Sequence, residues 1–80
     1  MTEGQDDSDT ARSRAHHAVI GVLIERIRQD PYPSTTMMDL IESNMTEEQL
    51  PDYLDALIQR IDADRFPNTV LVRRVLALTS

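Results

Sequence analysis

Apolar residues recur along this chain in four stretches with the three-to-four-residue period of a helix. The first, over about 11–29, places Val19, Ile20, Leu23, Ile24 and Ile27 on one face, widened by Val22. The second, from Ser34 to about Ser43, carries Met37, Met38, Leu40 and Ile41, with Asp39 and Glu42 expected in water. The third is the cleanest. Leu50, Tyr53, Leu54, Leu57, Ile58 and Ile61 follow an i, i+3, i+4, i+7, i+8, i+11 order that ends near Ala63. The fourth runs from Thr69 to Ala77 or beyond and is apolar on most sides, through Val70, Leu71, Val72, Val75, Leu76 and Leu78. Four helices and an all-α fold are predicted.

Turn and cap chemistry falls between these stretches. Asp9 or Thr10 is placed to accept the first free N–H groups of a helix starting near Ala11. Pro31 and Pro33 end the first helix, and Ser34 is a favoured N-cap for the second. Asn44 suits the left-handed position after a helix. Thr46-Glu47-Glu48-Gln49 matches a capping box, and Pro51 calls for an ordered turn at 47–50 before the main helix. Asn68 is placed to cap the fourth helix. Gly21 costs about 1 kcal/mol against Ala inside a helix, so it is read as marking a tight crossing by another backbone.

A shift of thirty-four residues lays one half of the chain over the other. Leu23, Ile24, Arg26, Ile27, Asp30, Pro33 and Thr35 fall on Leu57, Ile58, Arg60, Ile61, Asp64, Pro67 and Thr69. Tyr32 pairs with Phe66 and Ser34 with Asn68. Amphipathic helices share aliphatic positions by chance, but not an aromatic-Pro-cap-Thr turn. The expectation is a four-helix bundle made from two duplicated αα-hairpins, about 11–44 and 45–80, related by pseudo-twofold symmetry, with Tyr32 and Phe66 plugged into the core. Thirty-four is also the tetratricopeptide period. The small and aromatic positions of that motif would fall on Asp39, Glu42 and Asp55, so the pattern differs.

Composition adds limits. Eighty residues make one small domain, without cysteine to staple it, so self-association is one route to extra stability. The net charge is −6 and the pI is near 4.6. That argues against affinity for nucleic acid, which rests on phosphate neutralisation. All eight basic residues are Arg. Residues 1–10, with Glu3, Asp6, Asp7 and Asp9, read as a disordered acidic tail. No basic leader precedes an apolar run, and no apolar run approaches the roughly 18 residues of a membrane span. A soluble cytoplasmic protein, with no membrane contact, is expected.

Catalytic and metal chemistry finds little to build on. His16 and His17 are adjacent, so on a helix they point about 100° apart and do not share one metal. Glu47-Glu48 and Asp62 with Asp64 sit at helix ends, where carboxylates ordinarily meet water. Gly4 and Gly21 are the only glycines, too few for a phosphate loop. No catalytic residue, metal or cofactor is assigned, and a non-enzymatic protein is expected. Size, acidity and four helices suit a carrier protein, which bears phosphopantetheine on a Ser within Asp-Ser-Leu. Here Ser34 stands in Pro33-Ser34-Thr35 and Ser43 in Glu42-Ser43-Asn44, without that motif. The last two helices, with Arg73 and Arg74, also suit a helix-turn-helix DNA reader, although a recognition helix needs more polar side chains.

The difference between the copies is the remaining functional clue. The second helix has Asp39, Glu42 and Ser43 where the fourth has Arg73, Leu76 and Ala77. A helix apolar nearly all round asks for cover on more than one side. The sequence therefore predicts a protein–protein interaction module or small regulatory adaptor. It is expected to self-associate as a dimer through the fourth helix, with another protein as the other possible partner, through Val72, Arg73, Leu76 and Leu78, with Arg73 and Arg74 flanking the apolar strip.

Overall fold

The computed structural model describes the backbone of residues 2–80 and the side chains of residues 8–80. Four helices form: α1 (Thr2–Gln29), α2 (Thr35–Asn44), α3 (Leu50–Ala63) and α4 (Thr69–Thr79). No strand occurs among the described residues. α1 packs on both α2 and α3, and α3 packs on α4, so α1 and α3 form the central pair.

The helix boundaries follow the local chemistry. Ser34, extended at φ −74° and ψ 144°, accepts the Met37 N–H on Oγ at 3.0 Å and so starts α2. Asn68 does the same for α4, accepting from Val70 and Leu71. Gln49 makes half of the expected capping box, accepting the Thr46 N–H at 3.2 Å. Its other end donates to the His17 carbonyl at 2.9 Å, which ties the start of α3 to α1. Gln49 is thus a buried polar residue with both ends bonded. Pro51 lies in the first turn of α3, where its missing N–H removes no intrahelical bond.

Several expectations are corrected. α1 begins at Thr2 rather than near Ala11, so Asp9 and Thr10 lie inside a helix instead of capping one. Asp9 forms an ion pair with Arg12 at 3.7 Å. Of the acidic stretch 1–10, residue 1 and the side chains of residues 2–7 lie outside the described residues. Asn44 is the last residue of α2 and no described non-glycine residue has positive φ, so the helix leaves through extended Met45. Its side-chain amide turns back and donates to the Leu40 carbonyl at 2.8 Å. Gly21 has nothing within 4 Å of where a Cβ would stand, so no close crossing occurs there.

The core consists of Ile20, Ile24 and Ile27 of α1, Met38 and Ile41 of α2, Tyr53, Ala56 and Leu57 of α3, and Leu71 of α4. Leu23, Met37, Met45, Ile61, Val75 and Leu78 pack around it. Four residues of the predicted faces of α1, α2 and α3 are missing. Val19, Val22, Leu40 and Ile58 are each more than half exposed, while Ala56 is buried. The α3 face is rotated toward Ala56, because α3 must meet α1 on one side and α4 on the other.

Candidate interaction surface

Two ionic clasps hold the helices and decide which charges remain free. Arg28 of α1 reaches α3. It donates to Asp55 at 2.8 Å, to the Asp52 carbonyl at 3.1 Å and to the Asp52 carboxylate, and it also contacts Glu25 of its own helix at 3.1 Å. The hydrogen bond to Asp55 raises the Arg28 pKa, against burial, with Asp52 adding to the rise. Arg74 of α4 reaches α2, donating to Glu42 at 2.6 Å and Asp39 at 2.8 Å. Burial lowers its pKa, but Glu42 and Asp39 outweigh that and the net direction is upward. The fully buried Tyr53 donates from its hydroxyl to the same Glu42 oxygen at 2.6 Å. Burial, and then Glu42, raise the Tyr53 pKa.

Asp39 and Glu42 were expected to be merely solvated. They are instead the partners of Arg74. Part of the charge contrast between the second and fourth helices is therefore consumed inside the molecule. Arg74 does not flank an outward apolar strip, and it is not free to meet a phosphate. Arg73 is the α4 arginine left outside, with no ion pair among the described residues.

The predicted interaction residues separate accordingly. Arg73 is exposed and Leu76 is 62% exposed. Val72 is half-buried, and Leu78 is half-buried and packs against the core. Val70, at 49% exposure, joins Arg73 and Leu76 on the outward face. At about 100° and 1.5 Å per residue, Val70, Arg73 and Leu76 span roughly 120° of the helix surface and about 9 Å of its length. α4 carries no carboxylate anywhere along its sequence.

Tyr32 and Phe66 are not core. They are 87% and 78% exposed and line one depression of about 400 Å³ together with Asp64, Arg65 and Asn68. The Arg65 guanidinium lies 5.9 Å from the Phe66 ring centre, within cation–π range. The two Pro-containing turns thus come together at one end of the molecule. Each aromatic precedes a Pro and sits outside any helix, so helical rotation never turns it inward. The Tyr32 N–H is held by Asp30 at 2.8 Å, which fixes the turn with the ring outside.

A third apolar feature lies between α1 and α2. A groove of about 370 Å³ is lined by Ala15, His16, Val19, Ile20, Leu23, Leu40 and Asn44. Val19 is 57% and Leu40 51% exposed. Nothing in the sequence marked this groove, because both residues read as ordinary members of apolar faces. His16 Nε2 donates to the Asn44 carbonyl at 2.8 Å, closing the groove over the end of α2. Ser34 is occupied as a helix cap. Among the described residues no three His, Asp or Glu side chains converge as a metal site, and no helix is long and apolar enough to cross a membrane.

Comparison of the chain with protein-family models, with curated proteins and with solved structures finds no match.

Proposed function

We propose that this chain is a small, non-enzymatic, cytoplasmic protein–protein interaction module, with the outward face of α4 as its docking surface. We read its architecture as a four-helix bundle of two copied αα-hairpins. Several features support the copying. α1 and α3 end thirty-four residues apart, at Gln29 and Ala63, and α2 and α4 begin thirty-four residues apart, at Thr35 and Thr69. Ser34 and Asn68 cap in the same manner. The packing of α1 on α2 is matched by that of α3 on α4.

One observation carries the functional reading. Tyr53, Glu42 and Arg74 close the junction of α2, α3 and α4. Their counterparts thirty-four residues away are Val19, Leu76 and Leu40. All three are large apolar residues left more than half exposed. One set of positions forms a polar clasp, and the equivalent positions are apolar and exposed, Val19 and Leu40 beside the α1–α2 groove and Leu76 on the outward side of α4. A folded chain of this size gains nothing by itself from apolar groups held in water, and such groups favour a partner's surface.

The test separates association from stability. Leu76→Glu should keep wild-type helicity and lie within about 0.5 kcal/mol of wild type in urea unfolding, as exposed substitutions do. The same variant should lose partner contact, read as peptide binding to the full chain. An unfolded Leu76→Glu chain would place Leu76 in the core and end this reading.

A further inference from the structure

We infer that the partner on α4 is an acidic amphipathic helix of another protein rather than a second copy of this chain. The inference rests on the docking face proposed above and adds the chemistry of what lies on it. Arg12, Arg28, Arg60 and Arg74 each have a carboxylate of their own chain. Arg73 has none among the described residues, and it stands between Val70 and Leu76 on the exposed face. Arg65, one turn before α4, likewise has no ion pair there and lies against the Phe66 ring. Arg14 and Arg26 of α1 have no ion pair among the described residues either, but on α4 the uncovered face is apolar with one unneutralised guanidinium, that of Arg73.

Comparison of the two copies sharpens this. Arg73 is the positional counterpart of Asp39, and Leu40 the counterpart of Arg74. In the closed junction, an arginine meets carboxylates across the gap between helices. On the open side Arg73 stands where the closed junction has Asp39, and the arginine's own position is Leu40, so Arg73 is left without a carboxylate of this chain among the described residues. An occupant that supplies a carboxylate to Arg73 and aliphatic side chains to Val70 and Leu76 completes the same kind of contact.

A second copy does not supply this through the same face. In a twofold contact of α4 with α4, each Arg73 would meet a helix without any carboxylate and with another Arg73. Leaving two arginines unpaired beside each other in a partly desolvated contact opposes that association. The net charge of −6 also repels acidic partners in general, so only a carboxylate delivered at Arg73 gains locally.

The experiment uses the full chain, isotopically labelled for NMR, and three synthetic helical peptides. Each peptide carries Leu at i, i+3, i+4 and i+7, flanked by Glu in the first, Gln in the second and Lys in the third. The Glu peptide should shift the amides of Val70, Arg73 and Leu76 and bind about tenfold more tightly than the Gln peptide, with the Lys peptide weakest. Arg73→Gln should erase the preference for Glu over Gln without loss of helicity, and Arg73→Glu should reverse the order in favour of Lys. Equal binding of all three peptides overturns the inference, as do shifts confined to the Val19 and Leu40 groove. A dimer by light scattering that Leu76→Glu dissolves also overturns it, while leaving the interaction reading intact with the second copy as occupant. A strict monomer whose α4 amides respond to no peptide removes both.

Discussion

At the scale of single residues, Tyr53 and Arg74 show how a polar group becomes part of a core. Tyr53 is fully buried, and its hydroxyl and the Arg74 guanidinium share Glu42. A buried hydroxyl without a partner costs roughly 1–3 kcal/mol, so this bond is what allows the ring to sit inside. Burial and Glu42 raise the Tyr53 pKa above its ordinary value. The sign follows. The folded state holds the phenolic proton more tightly than the unfolded chain, so the contribution is complete below about pH 10 and is lost as pH rises above it. The stability difference between wild type and Tyr53→Phe should therefore be constant between pH 7 and 9 and shift against wild type above pH 10. Urea denaturation of both proteins across that range checks it, and parallel pH curves would mean that the Tyr53 hydroxyl is not held as described. The Tyr in this position was legible as a member of the α3 face. The shared carboxylate was not, because Glu42 lies on another helix than Tyr53 and thirty-two residues from Arg74, and only packing brings the three together.

At the scale of the helices, local chemistry and exposure divide the work. The caps Ser34 and Asn68, the Gln49 bond to Thr46 and the Pro stops set most boundaries, since each acts within a few residues. α1 is different. From residue 8 to residue 19 every side chain is exposed, and cover begins at Ile20. Helical turns without tertiary packing are marginal, so amide exchange should be faster across residues 9–15 than across residues 20–29. Gly21 lies at this transition, in open space and without positive φ. Gly21→Ala should stabilise the chain by about 0.5–1 kcal/mol, the gain in helix propensity without a clash. A loss of stability in thermal or urea unfolding would mean that another backbone does approach there.

At the scale of the whole molecule, the two halves share their turns but not their burial. Ile24 is fully buried, whereas its counterpart Ile58 is 51% exposed; Val72 is half-buried where Met38 is buried. Ile24→Ala should cost about 2–5 kcal/mol, as a core truncation does. Ile58→Ala should cost under about 1 kcal/mol, since most of that side chain already meets water. Equal losses in urea unfolding would mean that the halves are packed alike. The amino-acid pattern alone determined that four helices form, the caps Ser34 and Asn68 and the Pro-containing turns, because periodicity and capping act between residues close in sequence; the start of α1 and the end of α2 it misplaced. It also brought Arg73 and Leu76 forward as surface candidates. Only the tertiary structure decided that Tyr32 and Phe66 face water, that Arg74 turns inward to Asp39 and Glu42, and that Val19 and Leu40 are left beside an open groove. Helical spacing tells which residues share a side of one helix. Which neighbour covers that side, and how far, depends on distances between helices that no local rule contains.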